Sequence, residues 1–128
     1  MKKMLLTILA VLFLSACNTQ PQLDVSGTWE GSMNAAGAIP IKWELNDQGG
    51  AISGTFRFYD STYGWRIFGA INGTHNTSGD ATLTSYATDG SGHIEFEGTF
   101  NASSFSGYAY LYNASGDMTS SATVSLAK

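Results

Sequence analysis

The chain has 128 residues, a formal net charge of −4 and a single cysteine. This length suits one domain, and one cysteine has no partner for an internal disulfide. Acidic residues outnumber basic residues ten to six, so the surface repels phosphate backbones and the composition argues against nucleic-acid binding.

Residues 1–16 have the layout of a secretory signal peptide. Lys2 and Lys3 supply positive charge, residues 4–14 form a nearly continuous apolar run, and two small residues precede Cys17. The run is shorter than the roughly 20 apolar residues that a membrane-spanning helix requires. The pattern therefore predicts export and cleavage rather than a transmembrane anchor.

The run ends in Leu14-Ser15-Ala16-Cys17, which resembles the lipobox of bacterial lipoproteins. The resemblance implies that the Cys17 thiol receives a diacylglyceryl group and that signal peptidase II cuts after Ala16. It also implies acylation of the new amine, with palmitate as a typical acyl group. The alternative is an ordinary secretory signal with a chance cysteine, which would leave a lone thiol in an oxidising compartment.

Asn18 stands where an aspartate would act, in the same family, as an inner-membrane retention signal. The resemblance therefore implies the outer membrane in a diderm host. Residues 17–24 are expected to form the lipidated N-terminus and a short tether, and residues 25–128 the folded domain. Only four basic residues remain after position 16 against ten acidic ones. Adhesion to anionic lipid headgroups is disfavoured, which leaves the lipid on Cys17 as the expected membrane contact.

From residue 25 onward apolar and polar residues alternate with a period of two, which predicts β-strands. The predicted strands cover residues 25–33, 39–46, 52–58, 65–71, 81–88, 93–100, 105–111 and 118–126. Short turns between them predict an all-β antiparallel up-and-down meander. Closing the first strand on the last removes both exposed edges, so we expect a closed eight-stranded barrel, with a flattened sandwich as the alternative.

Gly-Thr recurs in or beside the strands, at residues 27–28, 54–55, 73–74 and 98–99. Glycine inside a strand marks a bend or a close approach of neighbouring groups. In closed sheets such glycines relieve curvature. The repeat therefore favours a coiled barrel wall.

Two short motifs carry a second resemblance. Gly27-Thr28-Trp29 resembles the Gly-x-Trp signature of lipocalins and avidin-like proteins, and residues 52–56 (Ile-Ser-Gly-Thr-Phe) are similar to an avidin strand. Both families are eight-stranded calycin barrels that hold small ligands, and lipid-anchored lipocalins occur in bacterial outer membranes. The later tryptophan-bearing avidin strands and the Thr-Asp-Tyr lipocalin signature have no match. Biotin binding is therefore not implied for any residue.

Groups suited to catalysis are few. His75 and His93 are separated by more than a strand and offer no metal-ligand spacing. Glu95 and Glu97 share a face, so their carboxylates could lie about 6–7 Å apart, near the separation found in glycosidases. Alternating charge also keeps the outer face of a strand hydrated, and no nucleophile elbow is present. We therefore expect no enzyme activity, cofactor or metal.

Aromatic residues offer the clearer lead. Eight occupy positions predicted to point inward: Trp29, Trp43, Phe56, Phe58, Trp65, Phe96, Phe100 and Phe105. Tyr108, Tyr110 and Tyr112 form a stripe of opposite parity on one strand, and would point into the barrel only if that parity were inverted. The stripe could pair across strands or stack on envelope sugars.

Two hypotheses follow for function. In the first, the lipid-anchored barrel takes up a small apolar or amphipathic ligand. In the second, a filled core makes it a structural or interaction module that contacts glycan or protein through its outer face. The candidate ligand-binding residues are Trp43, Phe56, Trp65, Phe96, Tyr108 and Tyr110.

Overall fold

A computed structural model describes residues 23–128; the predicted signal peptide, Cys17 and the first part of the tether lie outside this range. The eight strands are β1 (Gly27–Asn34), β2 (Ala38–Gln48), β3 (Ala51–Asp60), β4 (Gly64–His75), β5 (Asp80–Tyr86), β6 (Gly92–Phe100), β7 (Ser104–Asn113) and β8 (Met118–Ala127). Each pairs antiparallel with the next, and β1 pairs with β8 to close the barrel. The predicted all-β closed meander is confirmed.

The connections alternate between the two ends of the barrel. The chain enters β1 and leaves β8 at the same end of the barrel, which we call the anchor end. The β2–β3, β4–β5 and β6–β7 turns also lie at this end. The other four turns lie at the far end. No helix among residues 23–128 is long and apolar enough to cross a membrane.

Aromatic rings occupy the interior of the barrel. Trp43 is fully buried, with its ring centroid 4.9 Å from that of Phe96 and 5.0 Å from that of Phe105. Phe56 lies 5.3 Å from Phe96, and Trp29 lies 5.1 Å from Phe100. Aliphatic side chains such as Ile41, Ile71 and Leu83 complete the core. The alternation read from the sequence thus fills the barrel with side chains.

Strand β4 departs from the predicted alternation, and the prediction that Trp65 points inward is wrong. The β3–β4 register skips Phe68: Phe56 pairs with Gly69, and the next residue of β3 pairs with Ile67. This extra residue is a β-bulge, which reverses the facing of everything before it on the strand. Phe68 therefore packs on the core, whereas Trp65 and Ile67 are 40% and 51% exposed on the outside.

Glycines allow two neighbouring strands to approach closely. Gly98 of β6 pairs with Gly107 of β7, and a Cβ on Gly107 would lie 2.1 Å from the Glu97 carbonyl oxygen and 2.6 Å from the Gly98 Cα. These are backbone atoms within a hydrogen-bonded ladder, so they cannot move aside cheaply. The recurrent glycines of the sequence therefore permit the tight coiling of the wall.

We expect Gly107→Ala to lower the free energy of unfolding by about 1–3 kcal/mol, the usual cost of overpacking. Gly37→Ala is the matched control, because a Cβ there meets no atom within 4 Å. Urea unfolding of both variants measures the difference. Equal midpoints would contradict the close-approach explanation.

Candidate functional site

A stripe of tyrosines runs along the outer face of β7. Tyr108 is 55% exposed, whereas its neighbour Ala109 is fully buried and faces the core. Tyr110 and Tyr112 share the parity of Tyr108 and are partly exposed. At about 3.3 Å per residue the stripe extends over about 13 Å, which is longer than one sugar ring.

Register places a carboxylate beside two of these tyrosines. Glu97 of β6 lies opposite Tyr108, and Glu95 lies opposite Tyr110. Directly opposed side chains on one face of an antiparallel pair are neighbours. The outer wall therefore presents alternating aromatic rings and hydrogen-bond acceptors.

An open depression of about 590 Å³ lies in this part of the wall. It is lined by two tyrosines, two carboxylates and three hydroxyls: Asp80, Thr82, Glu97, Thr99, Ser106, Tyr108 and Tyr110. The hydroxyl of Thr99 donates to the Asp80 carboxylate over 3.2 Å. A depression of this size with both stacking and hydrogen-bonding groups can hold a polar ligand that has an apolar face.

Towards the far end, a histidine stacks between two tyrosines. The His93 ring lies 4.5 Å from Tyr112, nearly parallel to it, and 4.9 Å from Tyr86. His93 Nε2 is 3.6 Å from a Glu95 carboxylate oxygen. Local burial and the charge of Glu95 raise the pKa of Tyr112 above its usual 10.0, so this phenol is neutral at physiological pH. His93 therefore forms a continuous row of stacked rings with Tyr86 and Tyr112 on the outer face.

The wall formed by β5–β8 is strongly acidic. No lysine or arginine occurs between residues 67 and 127, while five carboxylates do: Asp80, Asp89, Glu95, Glu97 and Asp117. A ligand for this wall must therefore be neutral or positively charged.

The structure separates the six residues predicted to bind ligand. Trp43, Phe56 and Phe96 are core residues, and Trp65 lies on the outside of β4. Only Tyr108 and Tyr110 come together on one surface. Sequence reasoning did not single out the polar residues beside them: Asp80, Thr82, Thr99 and Ser106. Their outward parity was readable, but their proximity depends on the register of three strands.

A buried ion pair lies at the anchor end. His75 Nε2 is 2.5 Å from Asp47 Oδ2, and His75 Nδ1 is 2.8 Å from the carbonyl oxygen of Asn76. The Asp47 carboxylate also accepts the backbone N–H groups of Val25 and Gly50. Both imidazole nitrogens face acceptors, so these contacts stabilise the doubly protonated ring, in which neither nitrogen has a lone pair for use as a base. The cluster instead ties the start of the barrel to the β2–β3 turn.

The surroundings of the Asp47–His75 pair lower the pKa of Asp47 and raise that of His75. Burial alone would lower the pKa of His75, but the Asn76 carbonyl and the Asp47 carboxylate raise it above 6.5. Burial would raise the pKa of Asp47, but hydrogen bonds from Val25, His75 and Gly50 lower it below 3.8. The contacts within the pair therefore favour the charged forms of both groups in the folded state.

The N-terminus of the chain matches a known family model. The family model for the prokaryotic membrane lipoprotein lipid attachment site matches residues 1–18. The chain therefore carries a prokaryotic lipoprotein lipid-attachment site, which supports lipid anchoring in a bacterial envelope. The prediction made from Leu14-Ser15-Ala16-Cys17 is confirmed at this level, and the attachment cysteine lies outside the described residues. A search of the curated proteins finds no match to the lipoprotein.

Proposed function

We propose that this lipoprotein is a non-enzymatic glycan-binding module of the cell envelope, and that it holds carbohydrate on the outer wall of β5–β7. One observation carries the proposal: Tyr108 and Tyr110 share an open depression with the carboxylate of Glu97 and several hydroxyls. The apolar C–H faces of a pyranose stack on aromatic rings, whose faces are electron-rich. Sugar hydroxyls donate hydrogen bonds to carboxylates, and such bonds are stronger than neutral ones.

The interior is a less suitable place for the small apolar ligand of the first hypothesis. The rings of Trp43, Phe56 and Phe96 contact one another there, and closely packed cores resist insertion of extra volume. This packing favours the second hypothesis, in which the core is filled and the outer face makes the contact.

Two further features belong to the same proposal. Asn18 in place of aspartate supports sorting to the outer membrane in a diderm host. A calycin-like relationship is supported by the closed eight-stranded meander and by Gly27-Thr28-Trp29 on its first strand, where Trp29 is fully buried. The relationship concerns fold, because the proposed site lies outside the barrel.

The test is binding of the mature lipoprotein, held in detergent micelles, to immobilised envelope glycans without net negative charge, such as a neutral O-polysaccharide. We expect the double variant Tyr108→Ser/Tyr110→Ser to weaken binding at least tenfold, because loss of two stacking rings removes more than about 1.4 kcal/mol. The variant Tyr108→Phe/Tyr110→Phe retains the rings and should retain most of the affinity.

Tyr63→Ser is the matched control, since Tyr63 is 73% exposed in the β3–β4 turn, outside the depression. Glycan binding that survives the loss of Tyr108 and Tyr110, or that falls equally in the Tyr63 variant, would refute this location.

A further inference from the structure

The outer wall of β3 and β4 exposes an apolar patch made of Tyr59, Trp65 and Ile67, which are 44%, 40% and 51% exposed. Tyr59 pairs with Trp65 across the strands, and their ring centroids are 5.6 Å apart. The bulge at Phe68 turns Trp65 and Ile67 outward. β-Bulges often redirect side chains at functional surfaces. Clustered exposed apolar side chains mark surfaces that contact a partner or a membrane.

Two basic side chains lie on the same face as this patch. Lys42 Nζ lies 4.4 Å from the centre of the Trp65 ring, and Lys42 pairs in register with Arg57, which pairs with Ile67. Arg66, between Trp65 and Ile67, has the opposite parity and pairs with Phe58, which packs on the core. Each of these three basic residues has an acidic partner, Glu30, Glu44 or Asp60, so this wall is close to neutral, in contrast to the acidic wall of β5–β8.

The lipid anchor limits the distance and the orientation of the barrel relative to the membrane. Residues 17–22 extend over at most about 20 Å, and from Leu23 onward the chain packs on the barrel. The anchor end therefore stays close to the bilayer. The patch flanks the β3–β4 turn at the far end, so it meets the lipid when the barrel lies on its side. In a closed eight-stranded meander, β3 and β4 lie across the barrel from β7 and β8. Resting on β3 and β4 would point the Tyr108–Tyr110 wall away from the membrane.

We propose that the Tyr59–Trp65–Ile67 patch is a second membrane contact, on which the anchored barrel lies with its side against the lipid headgroups. Tryptophan and tyrosine favour the membrane–water interface. Because Lys42 and Arg57 are paired with Glu30 and Glu44, this wall has little net charge to oppose contact with the headgroups. The overall negative charge, which by itself disfavours headgroup contact, is segregated onto the wall that faces away. The inference does not depend on glycan binding.

Tryptophan fluorescence can test this contact directly. Trp29 and Trp43 are fully buried, so Trp65 is the exposed member of the three tryptophans. The mature lipoprotein is inserted through its lipid into vesicles of phosphatidylethanolamine and phosphatidylglycerol, with and without brominated acyl chains. We expect brominated lipid to quench Trp65 emission and the bilayer to shield it from acrylamide. Trp65→Phe removes the reporter and gives the background from the buried pair.

Ile67→Glu places a charge in the patch and should abolish quenching by brominated lipid while leaving the anchor in place. Ser121→Glu adds the same charge on β8, across the barrel, and should leave quenching unchanged. Trp65 emission that stays accessible to acrylamide and insensitive to brominated lipid would overturn the proposal. Shielding that depends on the protein-to-lipid ratio, without quenching by brominated lipid, would overturn it too and would indicate contact between copies.

Discussion

Replacing Asp47 with alanine is expected to lower the free energy of unfolding by about 3–5 kcal/mol, the cost of removing one partner from a buried ion pair. The side chains of His75 and Asp47 are only 0% and 2% exposed, so water cannot replace the lost carboxylate. The variant also leaves the N–H groups of Val25 and Gly50 without their acceptor. Chemical denaturation measures the loss.

Asp117→Ala is the control for this substitution, because Asp117 is exposed in the β7–β8 turn. Its expected effect is within about 0.5 kcal/mol, as for most surface changes. A similarly small effect at Asp47 would show that the pair does not secure the start of the barrel.

The Asp47–His75 pair makes the free energy of unfolding depend on pH. The raised pKa of folded His75 means that its contribution is complete below its usual value of 6.5 and is lost as pH rises through the folded value. The lowered pKa of Asp47 means that its contribution is complete above 3.8 and is lost as pH falls through the folded value. The pair therefore stabilises the fold most between pH 3.8 and 6.5.

Unfolding measured as a function of pH tests this window. We expect the free energy of unfolding to decline above pH 6.5, and His75→Gln to reduce that decline because glutamine does not titrate. A decline of the same size in the variant would assign the pH dependence to other groups.

Trp43→Ala should have an effect of comparable size, about 3–5 kcal/mol. Trp43 contacts Phe96, Phe100 and Phe105 at the centre of the core, so its loss removes these contacts and opens a cavity that rigid neighbouring strands cannot close. Thermal and urea unfolding measure the change. A cost below about 1 kcal/mol would contradict the packed core described above.

Phenylalanine substitutions separate packing from hydrogen bonding. Trp29 Nε1 donates to the Val25 carbonyl oxygen over 2.8 Å, whereas the buried Trp43 Nε1 has no hydrogen-bond partner. Both changes remove similar volume, but Trp29→Phe also leaves a carbonyl unsatisfied and Trp43→Phe removes an unpaired donor. We expect Trp29→Phe to cost about 1–3 kcal/mol more, and the reverse order would contradict this account.

The sequence alone identified the lipid-attachment signal and most of the fold. The lipid-attachment signal is a local pattern that an enzyme reads along the chain, so no tertiary structure is needed to recognise it. Strict alternation predicted eight strands near their observed positions, because a half-buried strand must place every second side chain in the core. Short turns and the cost of open edges then favoured closure.

The sequence did not reveal which side chains lie close together in the folded barrel. Trp65 continues an apolar alternation and was predicted to face inward, but the bulge at Phe68 reverses its direction, and a single extra residue leaves no clear mark in the pattern. Asp47 and His75 are 28 positions apart, and their pairing depends on how β2, β3 and β4 align. The depression beside Tyr108 likewise combines residues of β5, β6 and β7. Burial follows parity only along an uninterrupted strand, whereas bulges and the proximity of side chains depend on the register between strands, and only the tertiary structure decides register.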